Sequence, residues 1–243
     1  MTAKTTEAVD DYLKAILELS GPAAERVTSN SLAAHLDIRP ASVTGMLQKL
    51  AEQQPSFVKY EKHYGVRLTE MGKRRALEVQ RHHRLIERFL HDVLDFAWDE
   101  VHEEAERLEH YISERLEDRI AAKLGFPETD PHGHIIPEKD GAVAERQEIA
   151  LSKWPCEVPA VISSVSDRDP NALREMKRIG LVPGTGLIVQ PGTRHATLLV
   201  RIGGRAPTRL SRELASEIKV VKGSCSAPNE RSSQLDGNRP SDM

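Results

Sequence analysis

A mainly α chain with small β parts, divided into more than one domain, is what three features of the sequence predict. The stretch from Thr69 to Lys123 has helical periodicity with a break only around "LDFAWDE", residues 94 to 100. Alternating apolar and polar residues, the mark of half-buried strands, are confined to short runs near residues 57 to 69 and in the last third of the chain. At 243 residues the chain is long enough to bury two or three separate cores.

Composition excludes several classes of function. No apolar run is long enough to cross a bilayer, and "MTAKTTEAVDDYLK" lacks the apolar core of a signal peptide, so the expectation is a cytoplasmic protein with no membrane partner. Cys156 and Cys225 are too few and too far apart for a disulfide framework or a cysteine zinc site. The formal net charge of -3 conceals a segregation: residues 39 to 84 carry +6, and residues 85 to 150 carry -11. One segment is built to meet anions and the next to meet cations.

Within the basic segment, "SNSLAAHLDIRPASVTGMLQKLAEQ" predicts a short helix starting at Ser31, a break at "DIRP", and a second helix with Val43, Met46, Leu47 and Leu50 at helical spacing. Two short helices joined by a tight turn make a helix-turn-helix. Pro40 pre-sets the first helical turn, which leaves Arg39, Ala41, Ser42 and Thr44 at the exposed end where a recognition helix meets base edges, with Gln48 one turn on. Two strands follow, Phe57 to Glu61 and Val66 to Thr69, around a turn containing Gly65; they carry Lys59, Lys62 and Arg67 and form a wing suited to phosphate. The alternative for this segment is a winged helix that reads RNA.

The acidic segment contains "HEEAERLEH", residues 102 to 110. At about 100° per residue, His102, Glu106, Glu109 and His110 share one helix face, while Glu103 and Glu104 point elsewhere. In the preceding helix, "RHHRLIERFL" sets His83 and Glu87 one turn apart. Carboxylates grouped this way repel unless a cation sits among them, and a nitrogen and oxygen donor set suits a divalent transition metal. The bland alternative is a solvated charged face. A zincin needs H-E-x-x-H, and position 106 is Glu; a di-iron carboxylate bundle needs Glu-x-x-His, and none of the ten histidines has Glu three residues before it.

Taken together, a helix with "DDYLKAI", the helix-turn-helix "RPASVTGMLQKL", the wing, "RHHRLIERFL" and "VHEEAERLEH" resemble the DtxR/MntR family of iron- and manganese-dependent transcriptional repressors. "DPHGHIIP", residues 130 to 137, is similar to the turn that closes that family's dimerisation domain. Residues 158 to 222, with "LREMKRIGLVPGTGLIV" and "LSRELASEIKVV", resemble the SH3-like domain of its longer members. The resemblance implies a winged helix-turn-helix domain over residues 1–75, a helical metal-binding and dimerisation domain over 76–145, and an SH3-like (FeoA-like) β domain over 155–222. A polar tail over 223–243 is expected to be disordered.

The resemblance further implies a homodimer that binds a double-stranded DNA operator under the control of metal, and no catalysis. Carried over residue by residue, its primary metal site is Asp11, Glu106, Glu109 and His110. Its ancillary site is His83, Glu87 and His102, completed by an acid of the C-terminal domain, Asp169 first and Asp167 next. In some manganese-type members the turn supplies ligands, here Asp130 and His132. Lys14 departs from the short manganese sensors, which have glutamate there, and speaks against a closely spaced two-metal site of that design. Two sites per subunit are implied. The iron-type relatives carry Met and Cys where this chain has Asp11 and Glu106, so the ion expected is Mn²⁺, with Fe²⁺ as the alternative. The competing class is a metal-dependent hydrolase, for which the letters supply no nucleophile or general base outside the ligand set.

Overall fold

A computed structural model describes residues 6–21, 24–194 and 196–223 in two compact units, one through Glu145 and one from Arg146 onward. Among the described residues are eight helices and two sheets. The expectation of a disordered tail falls almost wholly on residues 224–243, outside that range.

The first unit begins with α1 (Glu7–Ser20), α2 (Ser29–His35) and α3 (Pro40–Glu52). α2 starts two residues earlier than Ser31, because Thr28 is the N-cap and its hydroxyl accepts the Ser31 N–H at 3.1 Å. α3 starts at Pro40, whose missing N–H is one the first turn would leave unbonded. Strands β1 (Val58–Glu61) and β2 (Gly65–Leu68) pair antiparallel with Val58 opposite Leu68 and Glu61 opposite Gly65. Gly65 has φ +101, and a Cβ there would meet the Val27 carbonyl oxygen at 2.5 Å, so the residue that closes the wing has to be glycine. One core holds this set together: Leu13 and Ile16 of α1, Leu32 of α2, Val43, Leu47 and Leu50 of α3, and Val58 and Val66 of the wing.

α4 (Glu70–Leu94) runs out of that core. Its 25 residues span about 37 Å, with Ala76 in the first core and Leu85 and Ile86 in two others. Leu85 packs with Ile120, Ala121 and Ile136; Ile86 packs with Leu90, Val101 and Ala105. The break after α4 falls where the sequence predicts it, at Asp95 in the left-handed region. A second break is not predicted. The expected single helix is instead α5 (Val101–Leu108) and α6 (Glu114–Lys123), because Ser113 caps α6 through the Leu116 N–H and Ile112 turns in against the Val101 and Ala105 cluster. Glu109 and His110 therefore lie just past the end of α5, in the turn.

The second unit is a six-stranded antiparallel sheet in the order β3-β8-β4-β5-β6-β7. Its strands are β3 (Ile149–Ala150), β4 (Pro159–Val165), β5 (Gly186–Arg194), β6 (Thr197–Ile202), β7 (Thr208–Ser211) and β8 (Ile218–Lys222). α7 (Pro170–Ile179) enters between β4 and β5, and α8 (Arg212–Ser216) between β7 and β8. Asp169 caps α7, and Gly180 at φ +86 ends it. Ile162, Leu173, Met176, Leu181, Leu198 and Val200 are fully buried. No described helix is long and apolar enough to cross a membrane.

Candidate metal centre and nucleic-acid interface

α1 and α5 both pack against α4, which brings residues almost a hundred positions apart together. His110 Nε2 lies 3.1 Å from Asp11 Oδ1 and 3.5 Å from Glu109 Oε1, so three of the four expected primary ligands converge. Glu106 groups instead with Glu109 and His83. Between the two glutamates sits the Lys14 ammonium, 2.6 Å from Glu106 Oε1 and 2.7 Å from Glu109 Oε1. Glu109 is thus shared: its other oxygen, Oε2, lies 2.5 Å from His83 Nδ1.

His83, Glu87 and His102 come together as expected. Glu87 Oε1 lies 3.0 Å from His83 Nε2 and 3.2 Å from His102 Nδ1, and the two imidazoles meet edge to face at 4.9 Å between ring centres. The other oxygen, Glu87 Oε2, is buried without a hydrogen-bond partner among the described residues and lies 3.6 Å from His132 Nδ1. A buried carboxylate oxygen left without a donor is a lone pair presented to a cation. The turn residues are also drawn together: Asp130 accepts the N–H groups of His132 and His134 at 2.8 and 3.0 Å, and His132 Nε2 donates to the Trp98 carbonyl at 2.9 Å. Arg81 fixes the turn on α4 through the Pro137 carbonyl at 2.6 Å, and Arg84 does so through that of Ile135. Asp169 belongs to the second unit, where its Oδ1 accepts the Asn171 N–H at 2.9 Å; Asp167 lies two residues before it.

The electrostatics follow from this crowding. Burial disfavours the charged form of His110, but the neighbouring carboxylates of Asp10, Asp11 and Glu109 outweigh it and lift its pKa to about 10. His83 reaches about 9 in the same way, burial being overcome by the Glu87 charge and by hydrogen bonds to Glu109 and Glu87. Glu87 and Glu106 are desolvated yet held below the usual carboxylate range, Glu87 by His83, His102 and His132, and Glu106 by Lys14 and the histidines. The carboxylates of this cluster have drawn in the cations nearest them, the Lys14 ammonium and the imidazoles of His83 and His110. Oxygen donors with one or two imidazoles fit a divalent first-row ion, so the residues pass the test of donor chemistry.

Several contributors are invisible to motif reading. Asp10, buried and paired with Arg75 at 2.8 and 2.6 Å, faces His110 Nδ1 at 3.7 Å and leaves Nε2 to the ligand side. His82 lies between the Glu109 carbonyl, 3.3 Å away, and Glu117, 3.1 Å away. His134, near Asp130 at 3.0 Å, is a third donor in the turn. The signals in the letters are an acid next to Asp11, a histidine next to His83 and the second histidine of "DPHGHIIP".

On the basic face, Arg39, Pro40, Ala41, Ser42 and Gln48 are exposed at the start and along one side of α3. Thr44 is half-buried, and its hydroxyl donates back to the Pro40 carbonyl at 3.2 Å. Lys59, Lys62 and Arg67 are exposed on the wing, with Lys59 directly opposite Arg67 across the strands. Like charges at such a position repel, a cost that a phosphate between them removes.

Comparison with known proteins brings in three family profiles. "Iron dependent repressor, N-terminal DNA binding domain" matches residues 4–66, "Iron dependent repressor, metal binding and dimerisation domain" matches residues 69–138, and "FeoA domain" matches residues 149–222. The iron-dependent repressor IdeR of Mycobacterium leprae is 33% identical over 168 residues, covering 64% of this chain and 72% of that protein. The HTH-type transcriptional regulator MntR of Oceanobacillus iheyensis is 31% identical over 149 residues, covering 59% and 98%. Among solved structures, a manganese-dependent transcriptional repressor in complex with manganese superposes with a TM-score of 0.81 at 37% identity, covering 88% of this chain and 99% of that one.

Proposed function

The chain belongs to the DtxR/MntR family of iron-dependent repressors, metal-responsive DNA-binding transcription regulators and not enzymes, and from that premise we propose that Mn²⁺ is the ion it senses. Its relatives are repressors and regulators, which removes the hydrolase alternative. Asp11, Glu106, Glu109 and His110 hold the primary ion. His83, Glu87 and His102 hold the ancillary one, with the turn residues Asp130 and His132 beside them and an acid of the C-terminal unit, Asp169 or Asp167, assigned by resemblance alone. The protein acts as a cytoplasmic homodimer on a double-stranded operator, with Arg39, Ser42, Thr44 and Gln48 toward the bases and Lys59, Lys62 and Arg67 toward phosphate.

One observation carries this reading: Asp11 on α1 and His110 after α5 stand 3.1 Å apart, so ligands from the DNA-reading half and from the acidic half meet at one point. A divalent ion held by Asp11, Glu106, Glu109 and His110 would supply the positive charge that lets three carboxylates approach one another. Asp11 then fixes α1, which packs in the same core as α3, and the recognition helix is held relative to the acidic helices. The imidazole of His110 must give up its Nε2 proton to act as a ligand, and Asp10 keeps its Nδ1 face oriented.

Mn²⁺ is preferred over Fe²⁺ because both positions where iron-type relatives carry sulfur are carboxylates here, and hard oxygen donors suit Mn²⁺. The test is activation of operator binding across a panel of divalent ions at low free concentrations, for the wild type and for Asp11→Met with Glu106→Cys. The wild type should respond to Mn²⁺, and the double substitution should move the preference toward softer ions. A wild type that answers Fe²⁺ and ignores Mn²⁺ overturns the choice of ion.

A further inference from the structure

Lys14 follows Asp11 by three residues on α1 and points into the same cluster. Its side chain is only 11% exposed, and its Nζ is bonded to Glu106 and Glu109 at once, at 2.6 and 2.7 Å. Glu109 Oε1, the oxygen Lys14 holds, is also the one that faces His110 Nε2 at 3.5 Å. Glu106, the one expected primary ligand that stands apart from Asp11, is held by Lys14 together with Glu109. A buried ammonium bonded to two carboxylates is a paired charge, and taking its partners away leaves it costly to keep buried.

We propose that Lys14 is a built-in cation of the primary site: it holds Glu106 and Glu109 in the absence of metal, competes with the ion for both, and so sets the metal concentration at which the protein responds. The inference rests on the ligand assignment above. The exchange is one of partners only. Two N–H···O contacts are given up for two metal–oxygen contacts, the ammonium keeps its proton, and the four-carbon stem of Lys14 carries it outward to water. Asp11 and His110, 3.1 Å apart, are not bonded to Lys14 among the described residues and would be open to an ion while Lys14 still holds Glu106 and Glu109.

This predicts a response opposite to that of ordinary damage, since a residue that merely supports the fold weakens metal binding when it is lost. Lys14→Met keeps the length of the stem and removes the charge, which leaves Glu106 and Glu109 without the ammonium they share. The measurement is Mn²⁺ binding to the full chain by isothermal titration, with thermal melting in chelator and in saturating Mn²⁺. Lys14→Met should bind Mn²⁺ about tenfold more tightly or better, melt lower than the wild type in chelator, and show a wider gap between the two melts. Lys14→Arg, which keeps a cation, should stay close to wild-type affinity. Should Lys14→Met fail to fold, Lys14→Gln, neutral but still able to bond one glutamate, should show tighter binding in its place. Unchanged or weaker Mn²⁺ binding by a folded Met or Gln variant overturns the role of Lys14. Absence of Mn²⁺ binding in the wild type as well overturns the ligand assignment itself.

Discussion

His110 and His83 are the residues whose chemistry most constrains the site, since each is an imidazole held among carboxylates. Their pKa values, about 10 and about 9, lie above the ordinary histidine value. Groups whose folded pKa is raised contribute stability that is fully present below about 6.5 and is lost as pH rises through the folded values. The metal-free protein should therefore melt progressively lower as pH climbs from about 6.5 toward 10. A ligating imidazole must be neutral, so Mn²⁺ uptake should release about one proton for each histidine recruited, and Mn²⁺ affinity should rise over the same pH range. Melting curves in chelator and Mn²⁺ titrations in buffers of different ionisation heat measure both effects. A metal-free melting point that rises with pH over that window contradicts the pairing described for His110 and His83.

Among the elements, α3 and the wing are where affinity and sequence preference separate. Lys62 is exposed at the wing turn, and Lys59 and Arg67 face one another across β1 and β2. Lys62→Ala should weaken binding to every DNA sequence and lower the slope of log affinity against log salt by about one, whereas Thr44 substitutions should shift which operator is preferred. An unchanged salt slope for Lys62→Ala removes the wing from the interface. These two elements were legible in the letters because their signals are local: Pro40 at a helix start, apolar spacing through Leu50, and alternation around Gly65. The division between α5 and α6 was not, because no glycine or proline marks it and the stop depends on Ser113 capping and Ile112 packing. Most of the expected ligands do converge, since helical spacing already groups His83 with Glu87 and resemblance supplied the rest. The separation of Glu106 from Asp11 was hidden, as was the Lys14 bridge, because it joins residues 92 and 95 positions apart.

For the whole molecule, the segregation of +6 from -11 is the central physical fact. The basic winged helix-turn-helix and the acidic helices belong to one compact unit, so the first favours approach of phosphate and the second opposes it. On the proposed ligand assignment, neutralisation of the acidic cluster by metal is mechanical as well, since α1, which carries Asp11, packs in the same core as α3. Metal is then expected to favour one arrangement of the recognition helices over others. The direct test is equilibrium binding of the full chain to DNA from upstream of its own target genes, at fixed salt, in excess chelator and in saturating Mn²⁺. The account predicts tight, sequence-specific binding with Mn²⁺ and only weak, salt-sensitive binding in chelator; equal affinity in the two conditions would contradict it.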